Sequence, residues 1–205
     1  MDERPMASMQ SVIRLLKSID PNWKISLAGD FHPEIEAGID DYCVASRWQF
    51  PENILQSRKA AGKISTWYTC CTEPYPNGFT FSPPDEHVWI GYYTAAKHFD
   101  GYLRWAYNSW TANPLTDSRF TAWPAGDTYQ VYPGPLSSIR FEKMIEGVQG
   151  FEKVQYLRNL YTKSGDNARL SELENALKKF DIPLLATQTA SDHVRAIEVL
   201  VNRED

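Results

Sequence analysis

The chain has 205 residues, of which 42% are hydrophobic and 23% are charged, and its net charge is -5. This length predicts one domain, or one domain with a small appendage, and the composition is typical of a packed globular core. The negative charge and the lack of a basic run argue against nucleic acid as the main partner. No apolar segment is long enough to predict a membrane span, and the first twenty residues lack a signal-peptide pattern, so the location stays unknown.

Helix-like and strand-like segments alternate along most of the chain. In chain order the patterns predict a helix at 6–19, a strand at 23–30, a short helical piece at 32–38, a strand at 39–46, a helix at 51–63, a strand at 64–71, a helix at 85–99, a strand at 101–110, an irregular loop at 111–136, and helices at 137–164, 167–180 and 189–203. Such alternation is typical of a parallel sheet with crossover helices, so the predicted fold class is α/β.

Aromatic residues are abundant, with 7 Trp, 11 Tyr and 9 Phe, and most lie between Trp48 and Tyr132. Trp and Tyr offer a ring face together with a polar edge, which suits flat amphipathic ligands such as sugars, although an aromatic core must account for at least half of them. The three cysteines, Cys43, Cys70 and Cys71, match no zinc spacing and are interpreted as buried small apolar residues. The sequence predicts no metal and no cofactor.

The chain opens with two adjacent carboxylates, Asp2 and Glu3, directly before the first predicted helix. Acidic residues ahead of a first turn are stabilised by the helix dipole by about 0.3–1 kcal/mol each, so capping is the simplest interpretation of this pair. In parallel α/β folds, however, function collects at the carboxyl ends of strands. Carboxylates, an Asn and aromatic residues follow the predicted strands, and this combination favours carbohydrate chemistry.

Five segments in this order resemble the C-terminal half of the glycoside hydrolase family 123 catalytic domain. They are "DERP" before a helix, "WYTCC" with a Pro-rich loop, "GYLRWAYNSW", "WPAGDTYQVYPG" and "SIRFEKMIEGVQGFE". The resemblance covers about residues 1–163. It implies a partial (β/α)8 TIM barrel of about four parallel strands at residues 1–164, followed by a helical C-terminal extension at residues 165–205.

The resemblance also implies an activity, the hydrolysis of terminal β-linked N-acetylhexosamine, in particular N-acetylgalactosamine, by substrate-assisted retention. In that scheme the 2-acetamido oxygen of the sugar attacks the anomeric carbon. Carried over from the family's Asp-Glu motif, Asp2 orients the acetamido group and Glu3 is the general acid/base. Full-length relatives are expected to be exported to the periplasm or the extracellular space.

Six further residues are candidates for substrate binding. Tyr68 lies late in its predicted strand and could bond the acetamido oxygen. Trp105 and Trp110 could form the floor of the sugar subsite, while Asn108 could bond a hydroxyl group. Asp127 and Tyr129 could reach in from the long loop. Each has a structural alternative: Trp105 could fill a barrel interior and Asp127 could cap a turn. Arg140 and Glu142 are interpreted as a structural ion pair or helix-start contact.

A half barrel would leave an open sheet edge, which invites pairing with another chain. Three interpretations stay open: a fragment of a longer enzyme that needs the N-terminal half-barrel, a homodimer that completes the fold, and a catalytically inactive carbohydrate-binding or assembly module. All three share a carbohydrate or protein partner rather than a nucleic acid or a membrane.

Overall fold

The computed structural model of the protein describes residues 4–48, 50–134 and 136–203. The predicted catalytic residues Asp2 and Glu3 lie outside the described residues, so their roles stay predictions. The chain forms two compact units that interleave along the sequence. Unit 1 comprises Met1–Thr69 and Phe99–Leu103, and unit 2 comprises Cys70–His98 and Arg104–Asp205.

Unit 1 contains a four-stranded parallel sheet. Its strands are β1 (Ser26–Gly29), β2 (Asp41–Ala45), β3 (Ile64–Tyr68) and β4 (Gly101–Leu103), in the spatial order β1-β2-β3-β4. Helix α1 (Met6–Ile19) precedes β1, a 3-10 helix (Glu36–Gly38) lies between β1 and β2, and α2 (Glu52–Ala60) lies between β2 and β3. The predicted α/β fold class is therefore confirmed, with the four parallel strands expected from the alternation of elements.

Strand β2 shows why the sheet forms here. Four successive side chains, from Tyr42 to Ala45, are buried, as expected for a strand that is covered on both faces. The guanidinium of Arg58 from α2 is buried over the ring of Tyr42 in this strand. Burial of an arginine is tolerated only when the cation is paired and hydrogen-bonded, and Glu36 supplies the carboxylate at 2.7 Å.

The strand predicted at 101–110 is found only at Gly101–Leu103, and the prediction is wrong for residues 104–110. Strand β4 pairs with β3 only from Gly101 to Leu103, and the chain then enters unit 2. Residues 107–109 instead bond the loop at 128–130. The backbone N–H of Gln130 donates to the carbonyl of Tyr107, and the backbone N–H of Ser109 donates to the carbonyl of Thr128. The aromatic pattern of this segment favoured a strand, but its backbone partners lie in the loop rather than in the sheet.

Unit 2 is built from helices and long connections. Its helices are α3 (Asp85–Ala96), α4 (Ile139–Ser164), α5 (Asn167–Leu177) and α6 (Ala190–Val201), with a 3-10 helix at Ile182–Ala186. Helix α3 is buried from Glu86 to Ala95 and packs against α4, α5 and α6. The four helices predicted for this part of the chain are therefore present, and each is shorter than predicted at one or both ends. The domain boundary predicted at residues 164 and 165 stays a prediction.

Two glycines allow α3 and α4 to pack closely. A Cβ placed on Gly91 would lie 1.9 Å from the carbonyl oxygen of Gly147, a separation that real Cβ atoms do not show. On the other side of α3, the indole N–H of Trp89 donates to Nδ1 of His193 in α6 at 3.0 Å. The core of unit 2 therefore depends on direct backbone contact as well as on aromatic packing.

The cysteine interpretation holds for one of the three residues. Cys43 is buried in β2, whereas Cys70 and Cys71 are partly exposed, and all three are free thiols. Cys70 follows β3, where its backbone N–H and its thiol both contact the carboxylate of Glu73. None of the helices within the described ranges is both long and apolar enough to cross a membrane.

Candidate functional site

An exposed aromatic surface lies on the loop segments of unit 2. The side chains of Trp105 and Trp123 are 42% and 40% exposed, and their ring centroids are 5.6 Å apart. Phe120 stacks on Trp123 with a centroid distance of 5.7 Å and an interplanar angle of 24°. We call these three side chains the aromatic platform. Large aromatic rings that remain in solvent together commonly mark a binding surface.

A buried carboxylate holds the platform in place. The indole N–H of Trp105 donates to Oδ2 of Asp127 at 3.2 Å, and Nη2 of Arg104 donates to Oδ1 of Asp127 at 2.7 Å. Arg104 also donates to the backbone carbonyl of Asp127 at 2.6 Å. The side chain of Asp127 is fully buried. Both carboxylate oxygens are therefore occupied, and Asp127 acts on the platform by fixing the orientation of Trp105.

The Pro-rich loop after β3 supports Arg104 from the other side. Nη1 of Arg104 donates to Oδ1 of Asn77 at 3.0 Å, while the Asn77 amide nitrogen donates to the carbonyls of Cys70 and Glu73. The backbone N–H of Asn77 donates to Oε2 of Glu86. Burial, only partly offset by this bond, raises the pKa of Glu86 to about 7. Asn77 thus links the Pro-rich loop, α3 and Arg104, the residue that pairs with Asp127, through hydrogen bonds.

The predicted substrate-binding residues fall into three groups. Trp105, Asn108 and Trp110 are exposed, and the indole N–H of Trp110 donates to the carbonyl of Val131 at 2.7 Å. Asp127 and Tyr129 are enclosed in unit 2, where the Tyr129 hydroxyl donates to the carbonyl of Pro114. Tyr68 is 5% exposed at the end of β3 in unit 1.

Unit 2 brings several of these residues together. Trp105 bonds Asp127, and Asn108 forms an antiparallel bridge with Tyr129. Their substrate contacts stay predictions. The interpretation of the residues missed Trp123 and Phe120, although Trp123 opens the segment "WPAGDTYQVYPG" and its indole could have been grouped with Trp105.

The helix-start contact predicted for Glu142 is present, since its carboxylate accepts a hydrogen bond from Ser137. Arg140 is not its partner. Instead, Nη1 of Arg140 donates to the carbonyls of Gly78 and Gly126, both at 2.7 Å. Within the described residues, no group of three or more His, Cys, Asp or Glu side chains is arranged to hold a metal ion.

Exposed aromatic rings that lie together, as Trp105 and Trp123 do, are suited to flat, amphipathic ligands such as sugars. The model of the "Glycoside hydrolase 123, catalytic domain" family matches residues 1–157. The chain therefore belongs to glycoside hydrolase family 123, which confirms the resemblance found in the ordered segments. The match ends within α4 and leaves α5 and α6 beyond it.

Among solved structures, the chain is similar to a family 123 glycoside hydrolase from Clostridium perfringens that was described in a study of glycolipid glycan hydrolysis. The two are 24% identical with a TM-score of 0.81, and the match covers 98% of this chain and 39% of that chain. This likeness confirms the fold and is consistent with part of a barrel. No curated protein sequence matches the chain.

Proposed function

We propose that this chain forms part of a glycoside hydrolase that removes terminal β-linked N-acetylhexosamine, with N-acetylgalactosamine as the first candidate, by substrate-assisted retention. The observation that carries the proposal is the aromatic platform of a family 123 chain, with Trp105 oriented by the buried carboxylate of Asp127. The solved relative comes from work on glycolipid glycans, which supports a glycan as the substrate class.

The platform is suited to a sugar because of what it leaves exposed. Asp127 accepts the indole N–H of Trp105, so this indole offers its ring to a ligand rather than its polar edge. The apolar C–H face of a hexose packs on such rings, while its hydroxyl groups need donors and acceptors. Asn108 is exposed in the neighbouring segment and its amide provides both.

The proposed chemistry assigns separate roles to the two opening carboxylates. The acetamido carbonyl oxygen forms a bond to the anomeric carbon as the glycosidic bond breaks, and Glu3 gives its proton to the leaving oxygen. Asp2 accepts a hydrogen bond from the acetamido N–H and stabilises the oxazolinium ion. Glu3 then removes a proton from water, which attacks the same carbon and restores the original configuration.

The catalytic part of the proposal is tested with two aryl β-glycosides that differ only at C2. We expect the 2-acetamido galactoside to release its phenol and the 2-hydroxy galactoside to be inert, because only the acetamido group can act as the internal nucleophile. Glu3→Gln should lower the rate by about 10²–10⁴-fold. Glu52→Gln is the matched control, since Glu52 is an exposed carboxylate at the start of α2.

Equal hydrolysis of both glycosides would contradict substrate assistance. Because the chain spans 39% of the solved relative, the assay is run on the chain and on a longer form that supplies the preceding half of a barrel. Absence of turnover in both forms would contradict the enzymatic proposal and favour an inactive carbohydrate-binding or assembly module.

The binding part is tested by calorimetric titration with N-acetylgalactosamine and N-acetylglucosamine. Trp105→Ala should weaken binding by at least about tenfold, since a stacked aromatic contact contributes on the order of 1 kcal/mol beyond its buried area. Trp23→Ala serves as the control, because Trp23 is similarly exposed but lies in unit 1. An unchanged affinity in Trp105→Ala would contradict the assignment of the platform.

A further inference from the structure

Four buried side chains of unit 2 carry polar atoms that lack a hydrogen-bond partner within the part of the chain that the structure describes. The atoms are Nε2 of His87, Nε of Arg104, Nε2 and Oε1 of Gln130, and Nη2 of Arg140. We call these four residues the polar cluster. A buried polar group without a partner costs about 1–3 kcal/mol, so several in one unit require an explanation such as a bound water or ion.

The cluster is assembled around the backbone of residues 77 and 78. A Cβ placed on Gly78 would lie 2.3 Å from Nε2 of His87 and 3.3 Å from Nε2 of Gln130, so both side chains occupy the space beside this glycine. Arg140 donates to the carbonyl of Gly78, and Arg104 donates to the side chain of Asn77. The four residues come from α3, α4 and two loops, so they meet only in the folded unit.

The charges of the cluster do not balance. Arg104 is paired with Asp127 at 2.7 Å, whereas the side chains beside the Arg140 guanidinium are those of Tyr129 and Tyr132, and no carboxylate lies within 4.0 Å of it among the residues that the structure describes. Arg140 is only 7% exposed. His87 adds no compensating charge, because burial and the two arginines lower its pKa to about 3 and keep it neutral. A buried arginine without a counter-ion is unfavourable, since its desolvation is not repaid.

We propose that the polar cluster binds one small monovalent anion of the halide class, with chloride as the natural occupant. Arg140 supplies the countercharge, and N–H groups of Arg104, Gln130 and Arg140 supply donors. A water molecule would satisfy some of these donors but would leave the charge of Arg140 uncompensated. A multiply charged anion such as sulfate or phosphate would bring more negative charge than the single cation of Arg140 compensates, and burial of that excess is unfavourable.

Such an anion would stabilise unit 2, and the inference is independent of the proposed glycosidase activity. It lies beside the platform, since Arg104 joins the cluster to Asp127 and so to Trp105. An occupied cluster would hold the loop at residues 77 and 78 against α3 and α4. Binding to the folded state alone raises stability in proportion to the logarithm of the ligand concentration.

The first test is crystallographic and uses the unaltered chain. Crystals grown in chloride and exchanged into bromide should show an anomalous peak within hydrogen-bond distance of Nη2 of Arg140 and Nε2 of Gln130. A cluster that holds only water oxygen, with no anomalous signal, would overturn the proposal. This measurement does not depend on any variant folding.

The second test is thermal unfolding at a constant ionic strength of about 0.1 M, with potassium glutamate replaced stepwise by potassium chloride. We expect the midpoint of unfolding to rise by about 3–5 °C, continuing with the logarithm of the chloride concentration once the site is filled, with bromide acting like chloride and sulfate giving no such rise. Equal midpoints in glutamate and chloride would overturn the proposal.

Gln130→Glu is a variant for which the proposal predicts the direction of the change in stability. Its carboxylate would supply the missing countercharge, so the variant should be at least as stable as the parent without chloride and should lose the chloride response. Gln149→Glu is the matched control, because Gln149 is exposed on α4 and should keep the full response. A full response in Gln130→Glu would overturn the proposal, and a lost response in both variants would do the same.

Discussion

Arg58 of unit 1 and Arg140 of unit 2 are both buried, but they differ in how fully their nitrogens are paired. In unit 1 every side-chain nitrogen of Arg58 has a partner: the carboxylate of Glu36, the hydroxyl of Ser65 and the carbonyls of Ile39, Asp40 and Ile64. In unit 2 one nitrogen of Arg140 bonds two carbonyls, whereas Nη2 has no partner in the described chain. A fully paired cation is a structural element, and a partly paired one is a candidate binding group.

The backbone packing of the units differs as well, and this gives the largest expected effect. Gly91→Ala places a Cβ against the Gly147 backbone of the facing helix, where no flexible side chain can yield. We expect a loss of more than about 4 kcal/mol in the free energy of unfolding, or no folded protein. Urea denaturation and the yield of folded protein measure it.

Gly101→Ala in β4 is the control from unit 1. Its Cβ would lie 3.6 Å from Cγ2 of Thr66, an ordinary contact. The free energy of unfolding should change by less than about 1 kcal/mol. Similar losses in the two variants would mean that close backbone contact does not distinguish the units.

The arginine comparison is tested by the pair Arg58→Met and Arg140→Met. Removal of Arg58 leaves Lys63 as the remaining donor to the Glu36 carboxylate and removes a donor from the carbonyls of Ile39 and Ile64, which should cost about 3–5 kcal/mol. In chloride-free buffer, Arg140→Met should cost about 1–3 kcal/mol, because two carbonyls lose a donor while an uncompensated charge is also removed. Urea denaturation measures both losses.

Added chloride should widen the deficit of Arg140→Met relative to the parent, since only the parent would gain from the anion. The deficit of Arg58→Met should not change with chloride. An Arg140→Met loss equal to that of Arg58→Met without chloride would remove the distinction between the two sites.

The smallest expected effect concerns pH, and its sign differs between Glu36, which is partly exposed, and Glu86, which is buried. Burial acts to raise the pKa of Glu36, but hydrogen bonds from Arg58 and Lys63 outweigh this effect and hold the pKa below its usual value of 4.5. The ionised Glu36 therefore stabilises the folded state above about pH 4.5, and this stabilisation is lost as the pH falls through the lowered pKa. The pKa of Glu86 is raised to about 7, so its stabilisation is complete below about pH 4.5 and is lost as the pH rises to 7.

Glu86→Gln should therefore be more stable than the parent by about 1–2 kcal/mol at about pH 8 and show little difference at about pH 5. The amide oxygen of the new side chain can still accept the N–H of Asn77. Glu36→Gln should be less stable than the parent at both pH values. Urea midpoints of the parent and the variants at the two pH values measure these differences. A Glu86→Gln variant with the same stability as the parent at about pH 8 would contradict the prediction that ionised Glu86 destabilises the folded state.

Much of the fold could be predicted from local pattern. Helix α1 spans the predicted residues 6–19, and the three crossings between parallel strands follow the predicted alternation, because burial periodicity and turn residues act over a few neighbours. Strand β4 is the exception. Residues 107–109, which were predicted to continue this strand, instead bond residues 128–130, a partner that no local pattern reveals.

The sequence by itself therefore determined the α/β class and the family, and it indicated the aromatic character of the proposed binding surface. Only the tertiary structure decided that Asp127 anchors Trp105 from a buried position and that Arg140 pairs with carbonyls rather than with Glu142. The physical reason is sequence separation. Residues 77, 87, 104, 127 and 140 come together through packing of helices and loops, and their charges acquire partners, or lack them, only after that packing.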